Sequence, residues 1–118
     1  MKILVIDDSN VFRKILTELF ARAGFDDVVE AGDFDEAIDV FRASKPNFTF
    51  VDMILPGRSG VELTKELLSI DGNAVVIAMS SIINKRMIQQ SLEAGAKDFI
   101  LKPTNEIALN SVLTMWSG

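Results

Sequence analysis

The sequence predicts an α/β fold, a doubly wound arrangement in which helices cover both faces of a five-stranded parallel sheet. Two observations lead to this fold class. Short apolar segments and longer amphipathic segments alternate five times along the 118 residues, which is typical of βα units joined by right-handed crossovers. Some apolar segments, such as Ile3–Ile6, contain no alternating polar residues, as expected for strands that are buried on both faces of a sheet.

The apolar segments place the predicted strands at residues 3–6, 27–30, 48–52, 74–79 and 98–101. The predicted helices are residues 11–23, a helix from Asp33 to before Pro46, a helix from Ser59 to about residue 70, and residues 84–94 and 105–116. The first helix carries one apolar stripe, formed by Phe12, Ile15, Leu16, Leu19, Phe20 and Ala23.

Local signals mark the ends of several helices. Ser9 or Asn10 suits the N-cap of the first helix, and Gly24 suits its C-terminal cap. Residues 33–36 and 59–62 each place a Glu three positions after a carboxylate or a hydroxyl, which is the spacing of a capping box. These signals support the alternating order of strands and helices.

The composition limits the possible functions. The net charge of -5 argues against a general affinity for nucleic acid or anionic lipid, because both need a basic face. The chain has no Cys and no His, so any metal must be bound by oxygen. No apolar run reaches the ~20 residues of a membrane span, and the first residues do not suit a signal peptide. We therefore expect one cytoplasmic domain over residues 1–118, without an output domain.

Polar residues follow four of the predicted strands, at the ends where ligands bind in sheets of this kind. They are Asp7 and Asp8 after the first strand, Asp52 at the third, Ser80 and Ser81 at the fourth, and Lys102 before Pro103 at the fifth. Because the carboxyl ends of parallel strands meet at one edge, three carboxylates, two hydroxyls and one ammonium group are expected to converge there.

Three neighbouring carboxylates need a cation if all are to stay ionised. Mg2+ takes carboxylate, water and phosphate oxygens, so Asp8 and Asp52 are candidate direct ligands and Asp7 a candidate through water. Lys102 suits a phosphoryl oxygen, and Ser80 can donate a hydrogen bond to another. This set predicts phosphoryl transfer, with Asp52 as the candidate nucleophile because it ends the central strand between metal and lysine.

At these positions the sequence resembles the receiver domain of two-component response regulators, especially the single-domain chemotaxis type. The resemblance covers essentially the whole chain and depends on several motifs at matching spacing: Val5-Ile6-Asp7-Asp8-Ser9, Val51-Asp52-Met53-Ile54-Leu55-Pro56 with Gly60, Met79-Ser80-Ser81, Ala94-Gly95-Ala96 and Phe99-Ile100-Leu101-Lys102-Pro103. It implies a flavodoxin-like sheet with the strand order 2-1-3-4-5.

The resemblance implies a role for each of the acids. Asp52 matches the phosphoacceptor. Asp7 and Asp8 match the acidic pair that holds Mg2+ together with Asp52, helped by the backbone carbonyl of Ile54, and Mn2+ is the expected substitute. Lys102 matches the lysine of the family motif, which assists the reaction. The implied function is a switch that is controlled by phosphorylation.

The resemblance also implies how the switch works. Ser80 matches the hydroxyl that closes on the phosphoryl group, and Phe99 matches the aromatic side chain that then turns inward. The peptide bond between Lys102 and Pro103 is expected to be cis.

The expected phosphoryl donor is a histidine kinase or a phosphotransfer protein, because the chain itself has no His. A downstream protein is expected to bind the face of the fourth helix, fifth strand and fifth helix, with no nucleic acid or membrane as partner. We expect a monomer or a weak phosphorylation-dependent dimer. The domain is expected to assist its own phosphorylation and dephosphorylation, and not to turn over an outside substrate as an enzyme does.

Two residues depart from the pattern of relatives that lose phosphate quickly, which tend to have polar residues there. Ile54 lies two positions after Asp52, and Ile82 lies two positions after Ser80. We expect both to shield an acyl phosphate from water, so that its hydrolysis is slow. The apolar residues of these loops are interpreted mainly as packing and loop anchors, with an exposed subset forming a partner face: Met53, Ile54, Leu55, Ile82, Ile83, Met87 and Ile88.

Other classes of protein are compatible with parts of this pattern. A phosphorylation-independent pseudo-receiver usually lacks an acid or the lysine, and neither is missing here. A metal-dependent phosphatase of the haloacid dehalogenase type has Asp-x-Asp after its first strand, where this chain has Asp7-Asp8. A flavodoxin-like flavin binder has a phosphate loop there without acids, because acids repel flavin phosphate. The pseudo-receiver is the main alternative.

Overall fold

The computed structural model describes residues 1–117, and within them five strands form one parallel sheet. We number these strands β1 (Ile3–Ile6), β2 (Val28–Ala31), β3 (Phe48–Asp52), β4 (Val75–Ser80) and β5 (Asp98–Leu101). The order across the sheet is β2-β1-β3-β4-β5, and every neighbouring pair is parallel. The predicted fold class and strand order are confirmed. Gly118, the last residue of the predicted domain, lies outside the described residues.

The helices between the strands are α1 (Asn10–Arg22), α2 (Phe34–Ser44), α3 (Gly60–Ile70), α4 (Lys85–Glu93) and α5 (Glu106–Trp116). All were predicted, with ends that differ by one or two residues. Each is capped by a polar side chain that accepts a backbone N–H of the first turn, from Ser9, Asp33, Ser59, Asn84 and Asn105 respectively. Gly24 follows α1 with a φ of +95°, as its predicted place after the helix requires.

Two apolar cores lie on the two faces of the sheet. Alternate residues of each strand point to opposite faces, so Leu4 of β1 packs into the core under α2, α3 and α4, whereas Val5 packs under α1 and α5. The second core includes an edge-to-face contact between Phe20 and Phe50, whose ring centres are 5.1 Å apart. The parallel pairing between these cores places the carboxyl ends of β1 and β3 side by side.

A short antiparallel hairpin follows β3, pairing Ile54–Leu55 with Arg58–Ser59. The sequence predicted only a loop here, because two-residue strands leave no periodic pattern. Gly57 turns the hairpin with a φ of +74°. The hairpin carries the chain away from Asp52 and back to the start of α3.

The packing interpretation of the loop residues is only partly right. Met53 and Leu55 are buried, but Ile54, Ile82 and Ile83 are 46%, 50% and 72% exposed. Ile54 lies in the short hairpin, and Ile82 and Ile83 lie in the loop between β4 and α4. Ile15, which was placed on the apolar stripe of α1, is also half exposed because it lies at the margin of that stripe.

Trp116, the only tryptophan of the sequence, lies beside the first residues of β3 and β4, at the end of the sheet away from Asp52. Its indole Nε1 donates a hydrogen bond of 3.1 Å to the carboxylate of Asp98, at the amino end of β5. At the opposite end of β5, the peptide bond between Lys102 and Pro103 is cis, as expected. Within residues 1–117 no helix is both long and apolar enough to cross a membrane.

Candidate functional site

The three predicted acids meet at the carboxyl edge of the sheet. One carboxylate oxygen from each of Asp7, Asp8 and Asp52 lies within 4.8 Å of the other two. Asp7 and Asp52 are buried and Asp8 is exposed, so the cluster opens to solvent on the side of Asp8. The parallel pairing of β1 with β3 brings these residues together, since both strands end at the same edge.

Lys102 links two of the acids. Its Nζ lies 2.7 Å from Oδ2 of Asp7 and 3.1 Å from Oδ2 of Asp52. The lysine side chain is only 14% exposed, which places its ammonium group inside the cluster. Lys102, which follows β5, thus joins Asp7, which follows β1, to Asp52, which ends β3.

Backbone amides fix the second oxygen of both buried acids. Oδ1 of Asp7 accepts the N–H of Ser9 at 2.9 Å, and Oδ1 of Asp52 accepts the N–H of Ile54 at 3.0 Å. Each carboxylate therefore has one oxygen toward the backbone and one toward Lys102. Such local turns hold the two carboxylates in fixed orientations before any ligand binds.

The site shifts the proton affinities of Asp52 and Lys102. Burial raises the pKa of the Asp52 carboxyl above its ordinary 3.8, and the charge of Asp7 adds to the rise, while the Ile54 N–H and Lys102 oppose it. Burial lowers the pKa of Lys102, but its bonds to Asp7 and Asp52 and their charges outweigh burial, so this pKa lies above the ordinary 10.5. Lys102 is therefore an ammonium ion at neutral pH, facing an acid that is harder to ionise than usual.

Sequence reasoning missed the contribution of Phe12. The Nζ of Lys102 lies 4.5 Å from the centre of the Phe12 ring, within the range of a cation–π contact. The apolar stripe of α1 assigned Phe12 to the core, and its ring does pack against the core under α1 and α5. Only the three-dimensional position of Lys102 reveals the second contact.

An open cleft of about 370 Å³ leads to the acids. Its lining is formed by Asp8, Asp52, Ile54, Leu55, Pro56, Ser81 and Lys102. A small phosphorylated group can therefore reach Asp52 and Lys102 from solvent. The exposed Ile54 forms part of the wall, on the hairpin that follows Asp52.

Neither of the two predicted switch residues lines this cleft. Ser80 is fully buried, and its Oγ accepts the N–H of Ile82 at 3.1 Å. Ser81, the second hydroxyl of the predicted pair, lines the cleft instead. Phe99 is half-buried and packs against the core under α2, α3 and α4.

The donor set of the acid cluster fits a hard divalent cation. It offers carboxylate oxygens from three residues, with Asp8 open to solvent for the waters that Mg2+ retains. The Lys102 ammonium group neutralises part of the charge of Asp7 and Asp52. The residues that the sequence singled out for Mg2+ are therefore compatible with it.

Comparisons with known proteins agree with this geometry. Residues 3–114 match the response regulator receiver domain. The chemotaxis protein CheY of Thermotoga maritima is 33% identical over 102 residues, covering 86% of this chain and 85% of that protein. Sporulation initiation phosphotransferase F of Bacillus subtilis is 35% identical over 102 residues, covering 86% of this chain and 82% of that protein.

A solved structure is similar in both sequence and shape. It is the CheX–CheY–BeF3–Mg2+ complex of Borrelia burgdorferi, with a TM-score of 0.89, 28% identity, and coverage of 98% of this chain and 89% of that chain. The chain belongs to the response regulator receiver domain family. It is a CheY-like receiver domain of two-component and chemotaxis-type signalling.

Membership of this family indicates what an acidic cluster at this edge of the sheet generally does. Receiver domains are signalling switches that bind Mg2+ at an acidic pocket, and they interact with kinases or phosphotransfer proteins and with downstream targets. In this chain, Asp7, Asp8 and Asp52 form an acidic cluster that could hold a metal ion.

Proposed function

We propose that this protein is a phosphorylation-controlled signalling switch that receives a phosphoryl group on Asp52. The observation that carries the proposal is the contact between Lys102 and Asp52, 3.1 Å between Nζ and Oδ2, at the centre of the three-acid cluster. Asp52 ends the central strand β3 at the open cleft, so a phosphorylated donor can approach its carboxylate. An ammonium ion already stands where charge develops during transfer.

The chemistry requires little more than position and charge. A carboxylate oxygen of Asp52 forms a bond to phosphorus while the bond between phosphorus and the donor breaks. Asp52 is held by the Ile54 N–H at its other oxygen, so the attacking oxygen has a fixed direction. Lys102 neutralises the oxygens of the transferred group and stays near Asp7 throughout.

Asp7, Asp8 and Asp52 would hold Mg2+ together with the backbone carbonyl of Ile54, and Mn2+ can replace it. The bound cation supplies charge neutralisation for the acids and for the phosphoryl oxygens. Without it, three carboxylates would repel an incoming phosphoryl group. The expected reaction therefore depends on a divalent cation.

The proposed switch acts through Ser80 and Phe99. The Ser80 hydroxyl, which now binds the Ile82 N–H, turns to the phosphoryl group on Asp52, and Phe99 turns inward beside it. The donor is a histidine kinase or a phosphotransfer protein. The response is a changed surface on α4, β5 and α5, to which a downstream target protein binds. Leu92, Leu101 and Ile107 are exposed on these three elements.

In this proposal residues 1–118 act as one receiver domain whose output is a protein partner. The domain assists its own phosphorylation and dephosphorylation, and it does not turn over an outside substrate. It works as a monomer or as a weak dimer after phosphorylation.

Intact-mass measurement after incubation with acetyl phosphate tests the proposal. The wild type should gain one phosphoryl group in the presence of Mg2+ and none in the presence of excess EDTA. Asp52→Asn should gain none under either condition. Asp39→Asn removes an exposed carboxylate on α2 and should react like the wild type.

Absence of the adduct under every condition would overturn Asp52 as phosphoacceptor and favour a phosphorylation-independent pseudo-receiver. An adduct on Asp52→Asn that equals that of the wild type would place the acceptor elsewhere.

A further inference from the structure

Arg13 extends from the first turns of α1 over the loop that carries Asp7 and Asp8. Its side chain is 13% exposed although it carries a charge. Its guanidinium lies against Gly32, where a Cβ atom would stand 3.2 Å from Nη1 of Arg13. The absence of a side chain at Gly32 therefore leaves the space that this guanidinium fills.

Three groups accept the N–H groups of Arg13, two from residues shortly before it in the chain and one from β2. Nη1 donates to the backbone carbonyl of Asp7, and Nη2 donates to the side-chain carbonyl of Asn10. Nε pairs with the carboxylate of Glu30 on β2 at 3.1 Å. The planar fork of an arginine suits three such acceptors, whereas a lysine has one compact ammonium group.

The contact with the Asp7 carbonyl fixes the peptide bond between Asp7 and Asp8. The N–H of Asp7 donates to the carbonyl of Ala31 at 3.1 Å, and its own carbonyl accepts from Arg13. The backbone of Asp7 is thus held from both sides. The direction of the next residue, Asp8, follows from the direction of this peptide.

The position of the Asp8 carboxylate depends on the backbone more strongly than the positions of the Asp7 and Asp52 carboxylates do. The carboxylates of Asp7 and Asp52 are each held by a backbone N–H and by Lys102. The Asp8 carboxylate accepts no hydrogen bond from any residue in the described range 1–117. Its position relative to the other acids therefore comes from the peptide that Arg13 holds.

We propose that Arg13 is a positioning residue for the metal site, which fixes the Asp7–Asp8 peptide and thereby sets the affinity of the acid cluster for Mg2+. The inference rests on the proposed metal-dependent function of the site. Arg13 acts through the direction of Asp8 and not through its own charge.

The charge of Arg13 and its positioning of Asp8 predict opposite changes in Mg2+ affinity when Arg13 is replaced by a neutral residue. The proposal can therefore be tested. A positive charge beside the acids repels Mg2+, so on charge alone a neutral residue at position 13 would bind Mg2+ more tightly. If Arg13 positions Asp8, the neutral variant Arg13→Gln binds Mg2+ more weakly. Arg13→Lys keeps the positive charge but loses the planar guanidinium group. Its effect on Mg2+ affinity therefore reports the positioning of Asp8 and not the charge at position 13.

The experiment is a titration of backbone amide NMR shifts with MgCl2, without any phosphodonor. We expect Arg13→Lys and Arg13→Gln to weaken Mg2+ binding roughly tenfold, the lower end of the effect of residues that support metal ligands. The Asp8 amide should start at a changed shift in both variants. Arg22→Lys, an exposed residue in the last turn of α1, is the matched control and should bind like the wild type.

Two further measurements separate positioning from general damage. In the Asp8→Asn background, Arg13→Lys should weaken Mg2+ binding no further, because both changes act on one ligand. With acetyl phosphate, Arg13→Lys should need more Mg2+ for half-maximal phosphorylation but reach a rate near that of the wild type at saturating Mg2+. A lower plateau with unchanged Mg2+ affinity would overturn the proposal.

Unchanged or tighter Mg2+ binding in both Arg13 variants would also overturn it. Because Mg2+ binding is measured directly, failure of Asp52 phosphorylation would leave this result intact. The two proposals can therefore fail separately.

Discussion

Gly60 lies so close to the backbone of Asp52 that position 60 has no room for a side chain. A Cβ atom on Gly60 would lie 2.3 Å from the carbonyl oxygen of Asp52 and 2.5 Å from the Cα of Met53. The N–H of Gly60 donates to the carbonyl of Met53 at 3.0 Å, which ties the start of α3 to the end of β3. The proposed phosphoacceptor is therefore held against α3 by a glycine.

Replacement of Gly60 by Ala should push α3 away from Asp52. We expect a loss of about 1–3 kcal/mol in the free energy of unfolding, the usual cost of overpacking, together with slower phosphorylation of Asp52. Urea unfolding and acetyl phosphate reactivity measure the two effects. Gly72→Ala is the control, because its Cβ would meet only the carbonyl oxygen of Leu68, at 3.8 Å. Equal losses in both variants would mean that contact with Asp52 is unimportant.

Asp52→Asn should make the protein more stable at pH 7. The pKa of Asp52 is raised by burial, so the folded chain binds this proton more tightly than the unfolded chain. Ionisation of Asp52 therefore costs stability as the pH rises from 3.8 through the raised pKa, and the Asn variant avoids this cost. Lys102 keeps its 2.7 Å contact with Asp7 in the variant.

The difference in urea midpoint between Asp52→Asn and the wild type should be positive at pH 7 and should shrink as the pH falls toward 3.8. Asp39→Asn should show no such trend. Added Mg2+ should narrow the difference by stabilising the wild type more. If Asp52→Asn is less stable than the wild type at pH 7, ionisation of the buried Asp52 carboxyl does not destabilise the fold, and the prediction is wrong.

Polar residues in place of the exposed isoleucines beside the cleft should speed the loss of phosphate. Ile54 and Ile82 are about half exposed and offer no group that orients an attacking water. We expect Ile54→Asn and Ile82→Gln each to raise the hydrolysis rate by roughly three- to tenfold, up to about 1.4 kcal/mol of barrier. The decay of the phosphorylated mass after removal of acetyl phosphate gives the rates.

Ile107→Asn is the control for this pair, since it replaces an 83% exposed isoleucine on α5. Its phosphate should decay at the wild-type rate. If all three variants lose phosphate at the same rate, the proposal that Ile54 and Ile82 shield the phosphoryl group is wrong.

Thr49→Val should stabilise the fold. Thr49 is buried on the central strand β3, and its Oγ1 has no hydrogen-bond partner within residues 1–117. Removing an unpaired hydroxyl without changing the shape of the side chain should add about 1 kcal/mol to the free energy of unfolding.

Thr64→Val makes the matched comparison for Thr49→Val. Thr64 is equally buried, but its Oγ1 donates to the carbonyl of Gly60 at 2.8 Å. This variant should lose roughly 0.5–1.5 kcal/mol. Urea unfolding of both variants tests the pair, and two changes of the same sign would contradict the hydrogen-bond argument.

The sequence alone predicted the order of the five parallel strands and the five helices, but not the short hairpin, because apolar periodicity and caps are local signals. Caps such as Ser9 and Asp33 place their helix starts to within a residue or two. The convergence of the acids and Lys102 was predictable as well, because the carboxyl ends of parallel strands meet at one edge of the sheet. The same reasoning failed for Ile54 and Ile83, since an apolar residue in a loop does not show whether a helix covers it.

Contacts between distant side chains were not predictable either. Phe12 beside Lys102 and Arg13 beside Glu30 join parts of the chain that share no sequence pattern. The direction of the Ser80 hydroxyl depends on a turn two residues long. Such contacts depend on how the side chains pack in three dimensions, and the order of residues in the sequence does not reveal this packing.

The indole of Trp116, anchored to Asp98 at the edge of the sheet away from the acids, provides an intrinsic fluorescent probe. Its emission should follow the loss of the α5 packing during denaturation and remain nearly constant when Mg2+ binds. One optical signal should therefore compare the stabilities of the variants with and without the cation, because the fluorophore lies at the end of the sheet away from the acids.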